Sequence, residues 1–364
     1  MQFKFPASDL RSTLAFAESL TEERSPLPAL SHVLLDVTPS LLTISATDFR
    51  STLIVKIAVD TSDTFSILVP GKTLSRWIAR LPDSVVTATL NSATLRLKCA
   101  SSTLTLKTMP SSEYPALSFS NLVDLGALDT VPLILALKKA AISADPSDAL
   151  PMRNAVLISG FDVVATDGTR LSHAILPTSL DAPRNILIPR GVLPDLWRAL
   201  ASADSVLVRS DDRRLVFETD SMLYAVQTVD SEYINWNAFF TNPIIDLVSV
   251  PTSDFRSAIL RISETTTEAL WVHFWITPTL LTLDNLIQGN DAITHGVESI
   301  SITSESEWEL HLNLTYIKDI LTVVTSPEVQ IGRLPIGNFS MFVVKDGDTA
   351  TFLIAPMSLG GEGD

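Results

Sequence analysis

Few residues of the chain are placed where they could do chemistry. The single cysteine, Cys99, has no histidine near it in the sequence, and the 13 glycines form no phosphate-binding loop. The histidines lie far apart and show no metal-ligand spacing; they are His32, His173, His273, His295 and His311. Asp48 and Asp167 each follow a threonine at a turn, where a carboxylate more often accepts backbone hydrogen bonds than acts as a catalytic acid. We therefore predict no catalytic residue, no metal site and no cofactor.

The Thr-Asp turn belongs to a longer pattern that recurs at one offset. Segment 46–50 returns at 165–170, Pro70 returns as Pro189, and Tyr114 returns as Tyr233; the offset is 119 residues each time (165 minus 46, 189 minus 70, 233 minus 114). A fainter third copy begins at 253–257, which matches 8–12. A period of this size is that of a domain rather than of a solenoid repeat. It predicts three homologous domains in tandem, at 1–120, 121–245 and 246–364, the last ending in a short acidic tail, Gly360–Asp364.

Within each copy, a helical period alternates with short alternating strands. In the first copy we predict a helix capped by Ser8 or Asp9 and running to about 20, and a second helix over 72–81. Strands are predicted at 33–37, 41–46, 52–59, 85–90, 93–98 and 103–108. The corresponding helices of the other copies fall near 132–142, 191–201, 253–262 and 314–324, and the joints at 118–127 and 241–248. Two helices on antiparallel strands in each domain make the fold class α+β.

The bulk composition describes a folded, acidic protein. The 364 residues are 46% apolar and have a mean hydropathy of +0.29, which argues against disorder. No apolar run reaches membrane-spanning length, and the first residues lack the apolar core of a signal peptide. One cysteine suits a reducing cytoplasm, where we expect the protein to act. The formal charge of −15 would by itself speak against nucleic acid, but binding depends on where the charge lies.

Positive charge is concentrated on the predicted helices. Lys72, Arg76 and Arg80 follow one another at intervals of four, which places them on one helix face. The other helical basic residues are Arg11, Lys138, Lys139, Arg198, Arg256, Arg261 and Lys318. For any one helix, the ordinary interpretation is a solvated amphipathic face. Six helices that share the sign in an acidic chain favour a surface that faces a polyanion, without distinguishing DNA from RNA.

Several motifs in order along the chain resemble the bacterial DNA polymerase III beta subunit, the sliding clamp. They are Arg24–Leu30, Ala165–Leu171, Ile186–Arg190, Val229–Tyr233 and Ala355–Met357. The resemblance implies a processivity factor: a head-to-tail homodimer of three-domain protomers that closes into a six-domain ring around duplex DNA and tethers DNA polymerases. The basic helix faces, together with Arg24, would then face the DNA. The implied location is cytoplasmic and nucleoid-associated.

The resemblance also implies an apolar pocket that binds short peptide motifs of polymerases and clamp-loader subunits. Its lining here would be Arg153, Thr166, Gly168, Arg170, Leu171, Ile234, Phe239, Leu353, Pro356 and Met357. Without the resemblance, Leu171, Phe239 and Leu353 read as ordinary core residues. Three positions depart from the family pattern: Arg153 stands where leucine is usual, Ile234 replaces a proline, and Ala238 replaces an arginine.

For ring closure, the resemblance points to an edge strand of the first domain meeting the third domain of a partner. The implied interface residues are Lys72, Arg76, Lys98, Leu104, Leu106, Ile262, Glu298, Glu305 and Glu307. Two other functions stay open at this point. One is an enzyme, which the scattered candidate groups disfavour. The other is a clamp-like protein-interaction scaffold, from a divergent or mobile-element copy, that does not encircle DNA.

Overall fold

The computed structural model describes residues 1–22, 25–147, 149–182, 184–265, 271–288 and 293–357. The chain divides into two compact units, of which only the described residues are discussed: the first unit (Met1–Val131 with Gly191–Thr228) and the second unit (Pro132–Arg190 with Val229–Asp364). The described segments contain no helix long and apolar enough to cross a membrane. The predicted division into three domains stays a prediction.

Helices occur at the predicted places, with shifted ends. Those of the described residues are α1 (Ala7–Ser19), α2 (Gly71–Ile78), α3 (Thr130–Ala141), α4 (Leu193–Leu200), α5 (Thr252–Glu264) and α6 (Leu314–Val323). The prediction of a Ser8 or Asp9 cap was wrong, because Pro6 precedes the helix and the Ser8 hydroxyl bonds the Asp9 carboxylate instead. Pro70 and Pro251 likewise immediately precede α2 and α5, so a proline stands directly before three of the described helices.

The strands alternate with these helices in a repeating order. In the first half they are β1 (Gln2–Pro6), β2 (His32–Thr38), β3 (Leu41–Thr47), β4 (Ser51–Ala58), β5 (Phe65–Pro70), β6 (Val85–Asn91), β7 (Thr94–Cys99), β8 (Ser102–Lys107), β9 (Met109–Pro110), β10 (Val123–Asp129), β11 (Ala155–Ser159), β12 (Asp162–Thr166) and β13 (Arg170–Ile175). The others are β14 (Ile186–Pro189), β15 (Ser205–Ser210), β16 (Arg214–Glu218), β17 (Met222–Gln227), β18 (Ile245–Pro251), β19 (Trp271–Ile276), β20 (Leu280–Gln288), β21 (Ile293–Ser301), β22 (Trp308–Asn313), β23 (Glu328–Ile336), β24 (Phe339–Asp346) and β25 (Ala350–Ile354). The pairing is antiparallel throughout these segments, as expected for the α+β class.

The first unit holds a four-stranded sheet, β1-β6-β7-β8, and a nine-stranded sheet, β10-β15-β16-β17-β4-β3-β2-β5-β9. The nine strands run without a break because β17 pairs with β4, with Tyr224 opposite Leu53. The hydroxyl of the buried Tyr224 donates to Ser51 Oγ at 3.1 Å across this junction. Helix α1 packs on α2 and touches α4, and it buries Leu10, Leu14 and Phe16.

The second unit repeats this plan. Its eight-stranded sheet has the order β14-β11-β12-β13-β25-β24-β23-β18, and its four-stranded sheet has the order β21-β20-β19-β22. The large sheet is continuous because β13 pairs with β25, with Leu171 opposite Leu353. Helix α5 packs on α6 and on β20 and β21. The two units therefore share a plan of one large sheet, one four-stranded sheet and helices packed on each other.

Candidate functional site

The turn between β12 and β13 is built by its Thr-Asp pair. The Thr166 hydroxyl accepts from the Gly168 N–H at 3.0 Å and donates to the Arg170 carbonyl at 2.7 Å. The Asp167 carboxylate accepts from the backbone N–H groups of Thr169 and Arg170 at 2.9 and 3.0 Å. The same bonds recur at the turn of Thr47 and Asp48. The prediction that these carboxylates serve the backbone is confirmed.

Arg170 fixes this turn to helix α6. Its guanidinium bonds Asp167 at 2.9 Å and Asp319 at 2.7 Å, and it lies 4.2 Å from the centre of the Tyr316 ring. The Tyr316 hydroxyl also accepts from Thr169 at 3.0 Å. Arg170 is only 9% exposed, so these two carboxylates neutralise it where it stands. Tyr316 and Asp319 were not predicted, because nothing in a helix sequence indicates which distant arginine its residues will contact.

Beside the turn lies an apolar cluster, which we define by its buried members Ala155, Leu157, Val164, Leu171, Leu187, Trp236, Leu334, Met341, Val343 and Leu353. Partly buried Ile234, Phe239, Phe240 and Ile336 pack against it. The structure thus brings together four of the predicted pocket residues, Leu171, Ile234, Phe239 and Leu353. Trp236 and Phe240 were missed, although their aromatic type beside the recurrent Tyr233 was a signal in the sequence.

The residues predicted to line a peptide pocket differ in exposure. Leu171 and Leu353 are 2% and 0% exposed, and they lie in the core of the apolar cluster. Ile234 and Phe239 are half-buried, and Met357 is 36% exposed. Pro356 is half-buried, and the Met357 N–H donates to the His311 carbonyl at 2.7 Å, which holds the end of the described chain beside β22.

Tyr233 supports the same turn from beneath. Its hydroxyl bonds the Val164 carbonyl at 3.5 Å, and burial raises the pKa of this phenol well above its usual range. In the first unit, burial raises the pKa of Tyr114 in the same way. Tyr114 is buried and Tyr233 partly buried, and each is a neutral side chain next to a Thr-Asp turn, where it acts as a structural residue.

In the first unit, the predicted basic face is present but shared with acids. Arg76 and Arg198 are exposed, and they lie with Lys72 along a shallow groove that also contains Glu18. Arg76 pairs with Glu18 at 3.2 Å, and Arg198 pairs with Asp195 at 3.4 Å. Arg11 is partly buried and pairs with Asp83 at 2.5 Å.

One detail of this face differs from the prediction, and one predicted residue lies outside the described residues. Helix α2 ends at Ile78, and the Arg80 N–H bonds the Trp77 carbonyl in the following turn. Arg80 is exposed, but it lies beyond the end of the helix and so does not extend the basic stripe of Lys72 and Arg76. Arg24 lies outside the described residues.

In the second unit, Lys138, Arg256, Arg261 and Lys318 are exposed. Arg256 donates to the Leu321 carbonyl at 2.8 Å, and Arg261 forms a bidentate pair with Glu298 at 2.6 and 2.7 Å. The prediction for Lys139 was wrong: it is 3% exposed, and its ammonium lies 2.6 Å from Asp346. Adjacent helix residues point about 100° apart, so Lys138 can face solvent while Lys139 faces the core.

The residues expected at a dimer interface have mixed placements. Strands β8 and β21 are outermost in their sheets, and Leu104, Lys98, Glu305 and Glu307 are half-buried or exposed. Ile262 and Leu106 were wrong as surface contacts, because they are 1% and 5% exposed and pack in the core. Glu298 is already bound by Arg261 of the same chain.

Comparison with known proteins shows what the chain is similar to. Residues 1–118 match the family model described as DNA polymerase III beta subunit, N-terminal domain. The "Beta sliding clamp" of Streptomyces coelicolor is 24% identical over 347 residues, which is 91% of this chain and 90% of that protein. That of Vibrio cholerae is 24% identical over 99% of this chain and 100% of its own length. The chain is thus similar to beta sliding clamps along nearly its whole length, and to the DNA polymerase III beta subunit family model over its first 118 residues.

The fold agrees along the whole chain. A crystal structure of a sliding clamp from Pseudomonas aeruginosa, bound to griselimycin, superposes with a TM-score of 0.90 at 22% identity and covers 99% of this chain and 100% of that one. The resemblance drawn from the motifs is confirmed, and so is the α+β clamp fold. At 22% identity the superposition shows the fold alone, and the role of each residue has to be argued from its contacts in this chain.

Proposed function

We propose that this protein is a DNA sliding clamp, a non-catalytic processivity factor that encircles duplex DNA and tethers DNA polymerases. The observation that carries the proposal is the placement of charge. The chain carries a net charge of −15, yet exposed arginine and lysine side chains stand on helices of both units. The beta subunit family supplies the context in which such helices face DNA. A scaffold that never meets DNA would not require them.

The ion pairs on these helices suit a contact that must move. Arg76 and Arg198 each have a carboxylate within 4 Å, so a phosphate must compete with that carboxylate for the guanidinium. Exposed pairs of this kind contribute about 0–1 kcal/mol each, and phosphate contacts carry no sequence information. Binding by such residues is weak and uniform along DNA. Retention then comes from a closed ring rather than from affinity.

Ring closure and peptide capture complete the proposal. Pairing of β8 with β21 of a second copy, twice about a two-fold axis, would extend both sheets and cover their outermost strands. Polymerase and clamp-loader peptides would bind over the apolar cluster, with apolar side chains against Ile234, Phe239 and Met357. Such a protein acts in the cytoplasm, at the nucleoid.

Primer extension tests the function. With the replicative polymerase and loader of the same organism, the protein is expected to lengthen the products of a single binding event on a primed circular template. The double variant Arg76→Glu, Arg198→Glu is expected to shorten them. Arg213→Glu is the matched control, because Arg213 is an exposed arginine of the first unit on a strand turn. Equal product lengths with and without the protein would refute the function.

Two measurements test the finer parts. Sedimentation velocity at micromolar concentration is expected to give a dimer of 39.6 kDa chains, and a monomer alone would contradict ring closure. Binding of griselimycin is expected to weaken in Phe239→Ala with Met357→Ala, with each truncation costing on the order of 1–2 kcal/mol. Phe161→Ala, which removes a ring that is 50% exposed and outside the apolar cluster, is the control. Unchanged affinity in the double variant would move the peptide site elsewhere.

A further inference from the structure

The outward face of the four-stranded sheet in the first unit is cationic. Along β7, the buried Leu95, Leu97 and Cys99 alternate with exposed residues, which therefore share the other face of the sheet. The residues of β8 that stand directly opposite these exposed positions lie on the same face. We call the outward residues of the two strands the cationic face; they are Thr94, Arg96, Lys98, Thr103, Thr105 and Lys107.

The register of β7 with β8 spaces the charges evenly. Each cation stands opposite a threonine across the strand pair; the pairs are Arg96 with Thr105, Lys98 with Thr103 and Lys107 with Thr94. Arg96 is central, because Lys98 is two residues away on its own strand and Lys107 is diagonal to it across the pair, each roughly 7 Å away between Cα atoms. The face thus holds positive charges with hydroxyl groups between them, and its six residues include no aromatic, aliphatic or acidic side chain.

This part of the chain contains no acid that could pair with the three cations. The chain has 41 acidic residues among 364, yet none lies between 84 and 112. Among the described residues, no carboxylate oxygen lies within 4.0 Å of a side-chain nitrogen of Arg96, Lys98 or Lys107. The net charge of this face is therefore positive in a protein that is acidic as a whole.

Acids next to the sheet are bonded to other groups. Asp83, the last acid before β6, pairs with Arg11. The Asp63 carboxylate accepts from the backbone N–H of Gln2 on β1, and β6 separates β1 from β7. A phosphate that approaches the cationic face therefore has no carboxylate to displace, whereas on the helices it must displace one at Arg76.

We propose that the cationic face binds the phosphate backbone of duplex DNA, as a site separate from the helices that are proposed to face DNA. Arginine, lysine and threonine side chains are among those that contact phosphate oxygens in protein–DNA complexes. Because the face has no aromatic side chain on which a base could stack, it contacts the backbone alone and binds without sequence preference. The contact requires neither ring closure nor loading, so it holds a second duplex or a flanking segment beside the protein.

Two other anionic partners fit this face less well. An acidic peptide takes most of its binding energy from a few buried apolar or aromatic anchors, and the face offers no groove for them. Stable attachment to an anionic membrane needs an inserted apolar group besides basic residues, and the six outward residues include none. The proposed pairing of β8 with a second copy uses the edge of that strand and leaves the face itself open, with Lys98 one strand in from the edge.

A covalently closed duplex minicircle tests this site without a clamp loader. Such a circle cannot be threaded by a closed ring, so its binding reports a surface on the outside of the protein. In electrophoretic mobility shifts at 50 mM NaCl, the triple variant Arg96→Gln, Lys98→Gln, Lys107→Gln is expected to bind at least tenfold more weakly than the unchanged protein. The slope of log K against log salt concentration is expected to become shallower by about two to three, or about one for each lost phosphate contact.

A matched triple variant separates the position of the charges from their number. Arg50→Gln with Lys56→Gln and Arg213→Gln removes three exposed cations at other places in the first unit. It changes the net charge by the same amount, and it is expected to weaken binding of the minicircle less than threefold.

Two further variants separate this face from the helices and from effects on folding. Arg96→Lys with Lys98→Arg and Lys107→Arg keeps the charges and is expected to bind the minicircle as the unchanged protein does. Arg76→Glu with Arg198→Glu changes the helices and is expected to leave this binding within threefold. If the glutamine triple variant does not fold, Lys98→Gln alone is expected to make the salt slope shallower by about one.

Several results would overturn the site. Equal losses in the two glutamine triple variants would assign the binding to net charge, and loss in the helix variant alone would move it to the helices. Displacement of the minicircle by polyglutamate or by phosphatidylglycerol vesicles at equal charge concentration would make the partner an acidic protein or a lipid surface. Absence of binding at 50 mM NaCl would refute the site outright. Neither loading nor processivity enters this assay, so each of these results leaves the proposed sliding function to its own tests.

Discussion

Replacement of Lys139 by methionine is expected to destabilise the second unit strongly. Its ammonium lies 2.6 Å from Asp346 and also bonds the hydroxyls of Thr325 and Thr349 at 3.1 and 2.8 Å. The two charged side chains are 4% and 0% exposed. Asp346 further accepts from the Ser326 N–H at 2.8 Å. The pair therefore joins α3 to the end of α6 and to the β24–β25 turn.

The expected magnitude follows from what the substitution leaves behind. Removing one partner of a buried ion pair costs about 3–5 kcal/mol, and the backbone donors that still satisfy Asp346 place the loss near 3 kcal/mol. Burial would raise the pKa of Asp346, but the Lys139 bond, followed by those from Ser326 and Thr325, holds it at about 2. Since the unfolded value is 3.8, this carboxylate stabilises the folded state by about 2 kcal/mol above pH 4, and the contribution is lost as the pH falls through 2.

Hydrogen exchange measures this loss locally, which suits a chain of several cooperative units. At pH 7, the opening free energy of amides in α3 and β24 is expected to fall by about 3 kcal/mol in Lys139→Met. Lys138→Met changes the exposed neighbour on the same helix and is expected to change the opening free energy of these amides by less than about 0.5 kcal/mol. Equal effects of the two substitutions would refute the assignment of Lys139 to the core.

Two other perturbations test the second unit. Burial and, after it, the charge of His273, whose ring is stacked 4.6 Å away, lower the pKa of His311. The unfolded imidazole therefore takes up a proton before the folded one does, and we expect the melting temperature to fall between pH 7 and pH 5. It should fall less in His311→Gln, and identical pH profiles of the two proteins would contradict this. Gly168→Ala is expected to lower the free energy of unfolding in urea by about 1–2 kcal/mol, because φ is +96° and the new methyl group would contact Arg153. Gly191→Ala is the control and should be near neutral, because a methyl group there has nothing within 4 Å. Equal losses of stability in the two variants would contradict the strain at Gly168.

Local features of the fold could be predicted because their causes are local. The alternation of apolar residues gave strands such as His32–Thr38 and Leu41–Thr47 close to their observed ends. The repeated Thr-Asp pair was predicted to bind its own turn, and it does so in both copies. Strand β1 was not predicted, although its buried Phe3 and Phe5 alternate with exposed residues.

The errors concern residues whose surroundings come from far along the chain. Lys139 looked like a surface lysine because its partner, Asp346, lies on a strand of the third sequence copy. Ile262 looked like a contact residue, yet α5 turns it into the core. Leu171, Ile234, Phe239 and Leu353 were brought together through the family resemblance, but which of them stay partly exposed follows from packing that no local pattern encodes.

Retention on DNA of two topologies tests the central claim most directly. The protein is loaded onto a nicked circular plasmid by the clamp loader of the same organism, and bound protein is separated by gel filtration at 0.3 M NaCl, where weak phosphate contacts do not hold it. A ring is expected to stay on the circle and to leave once a restriction enzyme linearises it. Equal retention on the circular and the linear plasmid would contradict encirclement.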